Sequence, residues 1–528
     1  MSQESIRSPG AVLTETVAAP ASAPVARAKD VTLLDQLLTA SPAQAEVPRG
    51  QLQAFLDEQD SQAALGKWLG QEATRLNRES LLLRLTRDIA HIDRLLNRQL
   101  NEILHHAKFQ KLEATWRGIA YLVKDLDPPE LQEPPRIKIK VLNASWKDLT
   151  RDAEIASDFD QSQFFKRVYT DEFDSPGGEP YGLLLGDFDV THRPTPDHPS
   201  DDIPLLTSIS QAAAAAFSPF ICAANPAMFG VNSFTELERP INLAQSFDQV
   251  DFAKWRSFRE ADDSRFVGLV MPRTLMRLPY EHDPWRADDF TFREDVARPD
   301  RSQYLWGNAI WAFGSVVIRA FRDSGWLADI RGVRRGQEDG GVVTDLPVHC
   351  FGTDKRDVAL KSSTDYMISD LQERELAELG FLPLSYCTDT EYSVFYATQS
   401  TQKPKKYNNP VVNTNARMTS MLQYTLCVSR FAHYLKILGR EKIGSFADEQ
   451  ELQSALQDWL RMYVADDNNA SPEVKAKFPL REGEVEVRPH PDKPGSYLST
   501  MRLLPHFQID GVNAAVQLKT ELRPARVG

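Results

Sequence analysis

A chain of 528 residues with 61 Lys and Arg against 74 Asp and Glu carries a formal net charge of −13. At about 100–200 residues per domain that length predicts two to four domains, and 42% hydrophobic with 26% charged residues excludes a disordered, collagenous or membrane-dominated chain. The acidic balance excludes a general polyanion binder, because affinity for phosphate backbones needs basic surface, so no nucleic-acid partner is expected.

Residues 1–50 read as a flexible arm rich in Ala, Pro and Ser, with too little apolar density to pack by itself. One apolar island, VTLLDQLL from Val31 to Leu38, interrupts it. It reads either as a frayed helical turn or as a segment ordered by docking on a partner, and docking is the expectation in so polar an arm. The start of the chain has no apolar signal segment, and the most apolar stretch, Ala309 to Ile318, falls far short of the ~20 residues of a membrane helix. A cytoplasmic chain without direct membrane insertion is expected.

Residues 51–130 form a helical region. Leu85, Ile89, Ile92, Leu96, Leu100 and Ile103 recur at helical spacing, and Phe109, Leu112, Trp116, Ile119 and Val123 continue it up to Asp127-Pro128-Pro129. Such stripes form core or face a neighbouring subunit. The period then changes. RIKIKVL (Arg136 to Leu142) alternates Ile137, Ile139 and Val141 with charged residues and predicts a strand. Short apolar runs near Tyr181, Phe220 and Arg265 predict buried strands, with helices over Leu205–Ala216 and Tyr304–Arg322 between them. Residues 131–400 therefore read as a mixed α/β domain.

The polar link Ser400 to Pro410 opens a C-terminal domain, 401–528. One helix is predicted from about Asn415 to Leu438, stopped by Gly439, and a second over Asp448–Val464. Strands follow at EVEVR, at YLSTMRLL from Tyr497, and at VQLKTEL from Val516 to Leu522. An amphipathic strand near a chain end can pair with another chain as easily as with its own. The fold class expected is α+β. Charge divides with the domains: Thr401 to Gly528 holds 18 basic and 14 acidic residues, a net +4, against −17 for the first 400 residues.

Motifs for chemistry are sparse. Cys222, Cys350, Cys387 and Cys427 lie far apart without CxxC or zinc spacing. No Walker A or GxSxG is present, and Asp262-Asp263 has no paired-acid context. The glycine-rich segment Ile330–Gly341, with Arg334 and Arg335, reads as a surface loop rather than an anion nest. His105 and His106 are adjacent and about 100° apart on a helix, unsuited to one metal, with one expected to cap the helix and the other exposed. His433 and His506 read as structural. No catalytic, cofactor-binding or metal residues are assigned and no cofactor is expected. Residue chemistry alone reaches a cytoplasmic multidomain protein with the marks of an assembling one.

Longer motifs carry a resemblance. NEILHHAKFQKLEATWRGIAYLV (Asn101–Val123), YTDEFDSPGGEPYGLLLGDF (Tyr169–Phe188), FAKWRSFREADDSRFVGLVMPRTLMRLPY (Phe252–Tyr280), QYLWGNAIWAF (Gln303–Phe313), GGVVTDLPVHCF (Gly340–Phe351), QSTQKPKKY (Gln399–Tyr407), SRFAHYLKILGREKIGSF (Ser429–Phe446) and LLPHFQID (Leu503–Asp510) follow one another in order. Together they resemble the large subunit (TssC/VipB family) of the type VI secretion contractile sheath. The chain departs from the family at Ser363-Thr364-Asp365, where a Pro-Thr-Glu step is common, and in its Ala/Pro-rich arm.

The resemblance implies a non-enzymatic role. A large and a small sheath subunit form a heterodimer, and neighbouring protomers build a helical tube around an inner tube of hexameric rings. The tube stands on a baseplate, contracts to drive the inner tube outward for effector delivery, and is disassembled by an AAA+ ATPase whose main recognition element belongs to the small subunit. Strand exchange ties the protomers together. The resemblance places the exchanging residues at Val31, Leu33, Leu34, Leu37 and Leu38 of the arm, Leu498, Met501 and Leu503 of one C-terminal strand, and Val516, Leu518, Thr520 and Leu522 of the last. The alternatives are a cytoplasmic α/β enzyme with an unrecognised site and the sheath of a phage-like contractile particle.

Overall fold

The computed structural model describes residues 49–70, 76–124, 126, 137–175, 177–196, 198–239, 241–283, 285, 290–296, 301–334, 337–349, 362–387, 390, 392–442, 449–465, 467, 470–489, 497–506 and 516–522, with the backbone alone at 49–52, 440–442 and 516–522. The chain divides into two compact units, Met1–Arg94 and Leu95–Gly528.

In the first unit, helix α1 (Arg49–Leu56) is followed by α2 (Ser61–Leu69). Asp60 starts α2 by accepting the Ala63 amide at 3.0 Å, which satisfies one free donor of the first turn. Phe55 packs on Trp68, and the Trp68 indole N–H donates to Asp88 at 3.0 Å. Asp88 lies on α3 (Arg78–Leu104), which runs across the boundary of the two units. The apolar stripe predicted there is helical, yet none of its 27 residues is buried among the described residues.

Helix α4 (Ala107–Lys124) begins where the His106 carbonyl accepts from the Phe109 and Gln110 amides. Gly118 lies against the indole of Trp311, where any Cβ would run into the ring. The predicted strand at Arg136–Leu142 is a correction: Arg136 lies outside the described residues, and 137–145 has no regular secondary structure. Lys138 and Lys140 pair instead with Glu179 and Glu172. Alternation makes a strand only where a second strand supplies a ladder, and none does among the described residues.

The centre of the second unit is a parallel sheet in the order β1 (Leu184–Val190), β2 (Phe220–Ala224), β3 (Val267–Met271) and β4 (Phe381–Pro383). Helices α5 (Trp146–Ile155), α6 (Asp202–Ala216), α7 (Ala253–Glu260), α8 (Ile310–Ser324) and α9 (Asp370–Glu378) accompany it. Leu206, Ile209, Trp255 and Phe381 form the core on one side of the sheet, and Ile221, Val270, Phe313 and Leu422 the core on the other. Cover on both faces explains why the inner strands β2 and β3 are continuous apolar runs, whereas β1 at the edge is half-buried and carries Asp187 and Asp189. A π-helix at Lys166–Phe173, closed by the Asp174 amide on the Tyr169 carbonyl at 2.8 Å, has no forewarning in the sequence.

The C-terminal part has α10 (Pro410–Thr419), α11 (Leu422–Lys442) and α12 (Glu449–Arg461), then an antiparallel sheet of β5 (Leu480–Pro489), β6 (Tyr497–Pro505) and β7 (Val516–Leu522). The single predicted helix over Asn415–Leu438 is two helices. The Ser420 carbonyl accepts from Ser400, and the Leu422 amide donates to Thr398, so the backbone there serves another segment rather than a continuous helix. Gly439 does not stop α11, which runs to Lys442. The whole is a mixed α+β fold.

The family departure at Ser363-Thr364-Asp365 is buried. Asp365 accepts the Arg273 amide at 3.0 Å, and burial pushes its carboxyl up to about 7 although Arg273 pulls it down. The unfolded chain loses that proton near pH 4, whereas the folded chain holds it to about pH 7. Stability is therefore fully present below the unfolded value and falls as pH rises through this window. Asp365→Asn keeps an acceptor and removes the charge. It raises stability at pH 8 by on the order of 1–2 kcal/mol and leaves pH 4 unchanged. Urea unfolding at both pH values reads this, and an equal change at both contradicts it.

Candidate interprotomer surface

The C-terminal sheet stands on one apolar cluster. Cys427, Phe431 and Leu435 of α11 and Leu452, Leu456 and Leu460 of α12 meet Val485 and Val487 of β5 and Met501 and Leu503 of β6. Trp326 stacks on Phe431 at 4.4 Å within it. Gly483 permits the approach of α12, since a Cβ there would lie 2.7 Å from Leu460.

Strand β6 is central. It pairs with β5 from Leu480↔Pro505 to Pro489↔Tyr497, and with β7 from Leu503↔Val516 to Tyr497↔Leu522. Of the predicted exchange residues, Met501 and Leu503 are fully buried in the cluster while Leu498 is exposed. Val516, Leu518, Thr520 and Leu522 lie on β7, whose bounds coincide with the sequence reading. Strand β7 pairs with β6 of its own chain, and among the described residues no strand lies beyond it. Val31, Leu33, Leu34, Leu37 and Leu38 lie outside the described residues.

Two junctions fix this part to the central sheet. In the first, Thr401 donates from Oγ1 to the Ser264 carbonyl at 2.8 Å and from its amide to Val267 at 2.9 Å. Buried Arg259 donates to the Thr401 and Glu378 carbonyls, both at 2.9 Å, and Gln399 reaches Ser420 at 2.6 Å. The segment QSTQ thus joins α7, the start of β3 and the break between α10 and α11. In the second, His433 sits with Nε2 3.0 Å from the Ala216 carbonyl. Burial lowers its pKa to about 4, which keeps the ring neutral and structural, as expected. Lys436 lies 3.8 Å over the Phe173 ring and bonds Asp174 at 2.8 Å, tying α11 to the π-helix.

Groups suggestive of chemistry are engaged otherwise. Ser200, His198 and Asp202 lie within hydrogen-bonding distance, but His198 Nε2 faces both Ser200 Oγ at 3.0 Å and Asp202 Oδ2 at 2.7 Å. One nitrogen cannot relay a proton between the two, so the trio is no catalytic triad. Asp202 also accepts from Trp146 and from the Thr191 amide, as the anchor of α6. In the glycine-rich segment, Arg334 pairs with Asp329 at 2.5 Å and Asp339 at 2.9 Å, while Arg335 lies outside the described residues. Neither His105 nor His106 is exposed, contrary to the expectation for one of them. His105 Nε2 lies 3.3 Å from Glu294. No group of three or more metal-type side chains occurs among the described residues, and no helix among them is long and apolar enough to cross a membrane.

The sequence did not signal the charged knot of Glu113, Arg277 and Glu294. Arg277 Nε donates to Glu113 at 2.8 Å and Nη1 to Glu294 at 2.5 Å, with Tyr280 stacked 4.3 Å from the guanidinium. Partners 164 residues apart have no spacing signature.

Comparison with known proteins bears on this architecture. Residues 86–402 match the family described as EvpB/VC_A0108, tail sheath N-terminal domain, and residues 411–522 the tail sheath gpW/gp25-like domain. A protein of Pseudomonas aeruginosa named type VI secretion system sheath protein TssC1 is 41% identical over 441 residues, covering 83% of this chain and 86% of that protein. A solved sheath tail protein of Desulfitobacterium hafniense matches over 60% of each chain at 8% identity and a TM-score of 0.28. With the first matched region ending just past Thr401 and the second containing the three-stranded sheet, the chain belongs to the EvpB/VC_A0108 tail sheath family.

Proposed function

We propose that this chain is the structural large subunit of a type VI secretion contractile sheath. It pairs with a small sheath subunit, stacks with neighbouring protomers around an inner tube on a baseplate, and contracts to propel that tube. The observation that carries the reading is 41% identity to a type VI sheath protein across 83% of the chain. The role is non-enzymatic and cytoplasmic, and disassembly by an AAA+ ATPase acts through the small subunit.

The exposed stripe of α3, with Leu82, Ile89 and Leu96 uncovered, suits a subunit that does not function alone. A strand added at the outer edge of β7 supplies backbone hydrogen bonds that persist while rigid bodies slide past one another. Links of this heterologous kind do not close, and they generate a helical tube. The exchanging strands are the arm around Val31–Leu38 and β7. Affinity capture of the chain co-expressed with a small sheath subunit tests the pairing. Stoichiometric recovery of both is expected, and recovery of the large chain alone contradicts it.

A further inference from the structure

A three-stranded sheet has two edges, and both can template another strand. In the C-terminal sheet the two are unlike. The amides of Val485 and Val487 point away from β6, because each donates to a side chain of α12: Val485 to Gln457 Oε1 at 2.8 Å and Val487 to Gln453 Oε1 at 3.1 Å. Gln457 Nε2 returns a bond to the Gly483 carbonyl at 2.9 Å. Gln453 and Gln457 stand one helical turn apart, so they address successive outward positions of the strand as a neighbouring strand would.

The ends of β5 are closed as well. Leu480 exchanges backbone bonds with Tyr463 and Ala465. Pro489, the next residue in the outward series, has no N–H to offer. The outward amides of Val485 and Val487 and the Gly483 carbonyl are thus already engaged, and a strand arriving at β5 would have to displace α12 side chains to pair there. The opposite edge, at β7, has no strand beyond it among the described residues.

We propose that Gln453 and Gln457 act as a guard that forbids strand addition at β5 and leaves β7 as the edge at which the Val31–Leu38 arm of a neighbouring copy adds. This rests on the sheath reading and adds which residues set the polarity of linkage. A sheet open at both edges would branch or terminate a tube, whereas one open edge gives a regular heterologous chain of contacts.

The test uses the full chain without any partner, so its outcome is independent of whether tubes form. Gln453→Leu/Gln457→Leu keeps side-chain bulk and removes the hydrogen bonds. Hydrogen–deuterium exchange at Val485 and Val487 then rises about tenfold, the equivalent of one lost hydrogen bond each. The variant also self-associates with concentration, with cross-links between β5 strands of two copies. Gln453→Glu, which still accepts the Val487 amide, keeps wild-type protection there. If the double variant unfolds, Gln453→Leu carries the test, with Val487 alone losing protection. Unchanged exchange, or faster exchange without self-association through β5, overturns the proposal.

Discussion

Deleting Thr520 to Gly528 abolishes tube formation and leaves the pairing with the small subunit intact. The deletion removes the last three ladder positions of β7, which oppose Ser499, Leu498 and Tyr497, and shortens the edge on which a neighbour's strand is proposed to add. The cluster beneath the sheet survives, because Met501, Leu503, Val485 and Val487 with α11 and α12 are all retained, as is the β5–β6 ladder. The shortened protein therefore folds and loses assembly rather than stability. Electron microscopy of the co-expressed pair reads the tubes and size-exclusion chromatography the heterodimer. Regular tubes from the shortened chain contradict strand exchange at β7, and loss of the heterodimer contradicts the separation of the two interfaces.

Arg277→Ala lowers stability by about 3–5 kcal/mol at neutral pH, the usual cost of leaving buried charge unpaired. The Arg277 side chain is 6% exposed and that of Glu294 1%, so water cannot replace the missing guanidinium. Burial alone raises the Glu113 carboxyl, but hydrogen bonds from Arg277 and Arg117 outweigh it and hold the pKa below the ordinary value. A carboxyl depressed in this way contributes stability above its unfolded pKa and loses it as pH falls. The deficit of Arg277→Ala is thus largest near pH 7 and narrows toward about pH 4, where carboxylates protonate. Glu113→Gln costs less, because Arg277 keeps Glu294. Urea unfolding of the three proteins at two pH values checks this, and a deficit that grows on acidification contradicts it.

How much of this was legible in the sequence depends on distance along the chain. The buried strands β2 and β3 were readable because cover on both faces leaves continuous apolar runs, and β7 was readable because Val516, Leu518, Thr520 and Leu522 alternate with Gln517, Lys519 and Glu521. Alternation misled at Ile137, Ile139 and Val141, where the pattern is present and a partner strand is not. Gly439 misled because a helix tolerates one glycine at a cost of about 1 kcal/mol, which the packing of α11 covers. The break at Ser420 was invisible because its cause is the distant segment Thr398–Ser400. The same holds for Arg277 with Glu113 and for Gln457 with Val485, pairs that meet only after folding. The long ordered motifs reached the family, now matched over 86–402 and 411–522, where single-residue chemistry did not.

In the proposed assembly the charge division, −17 against +4, would set the acidic bulk and the basic C-terminal part against complementary faces of neighbouring protomers, and assembly would weaken steeply with added salt. Contraction then requires an extended lattice that is metastable relative to a compact one, a bistable packing rather than a catalysed step.

The most direct measurement of the central claim is electron microscopy of the chain expressed alone and together with a small sheath subunit. Hollow helical tubes of uniform diameter are predicted in the co-expressed sample and none from the chain alone. Tubes from the chain alone would make it a homomeric sheath of the phage-like kind. A soluble, tube-free complex in both samples would contradict a role as a sheath subunit.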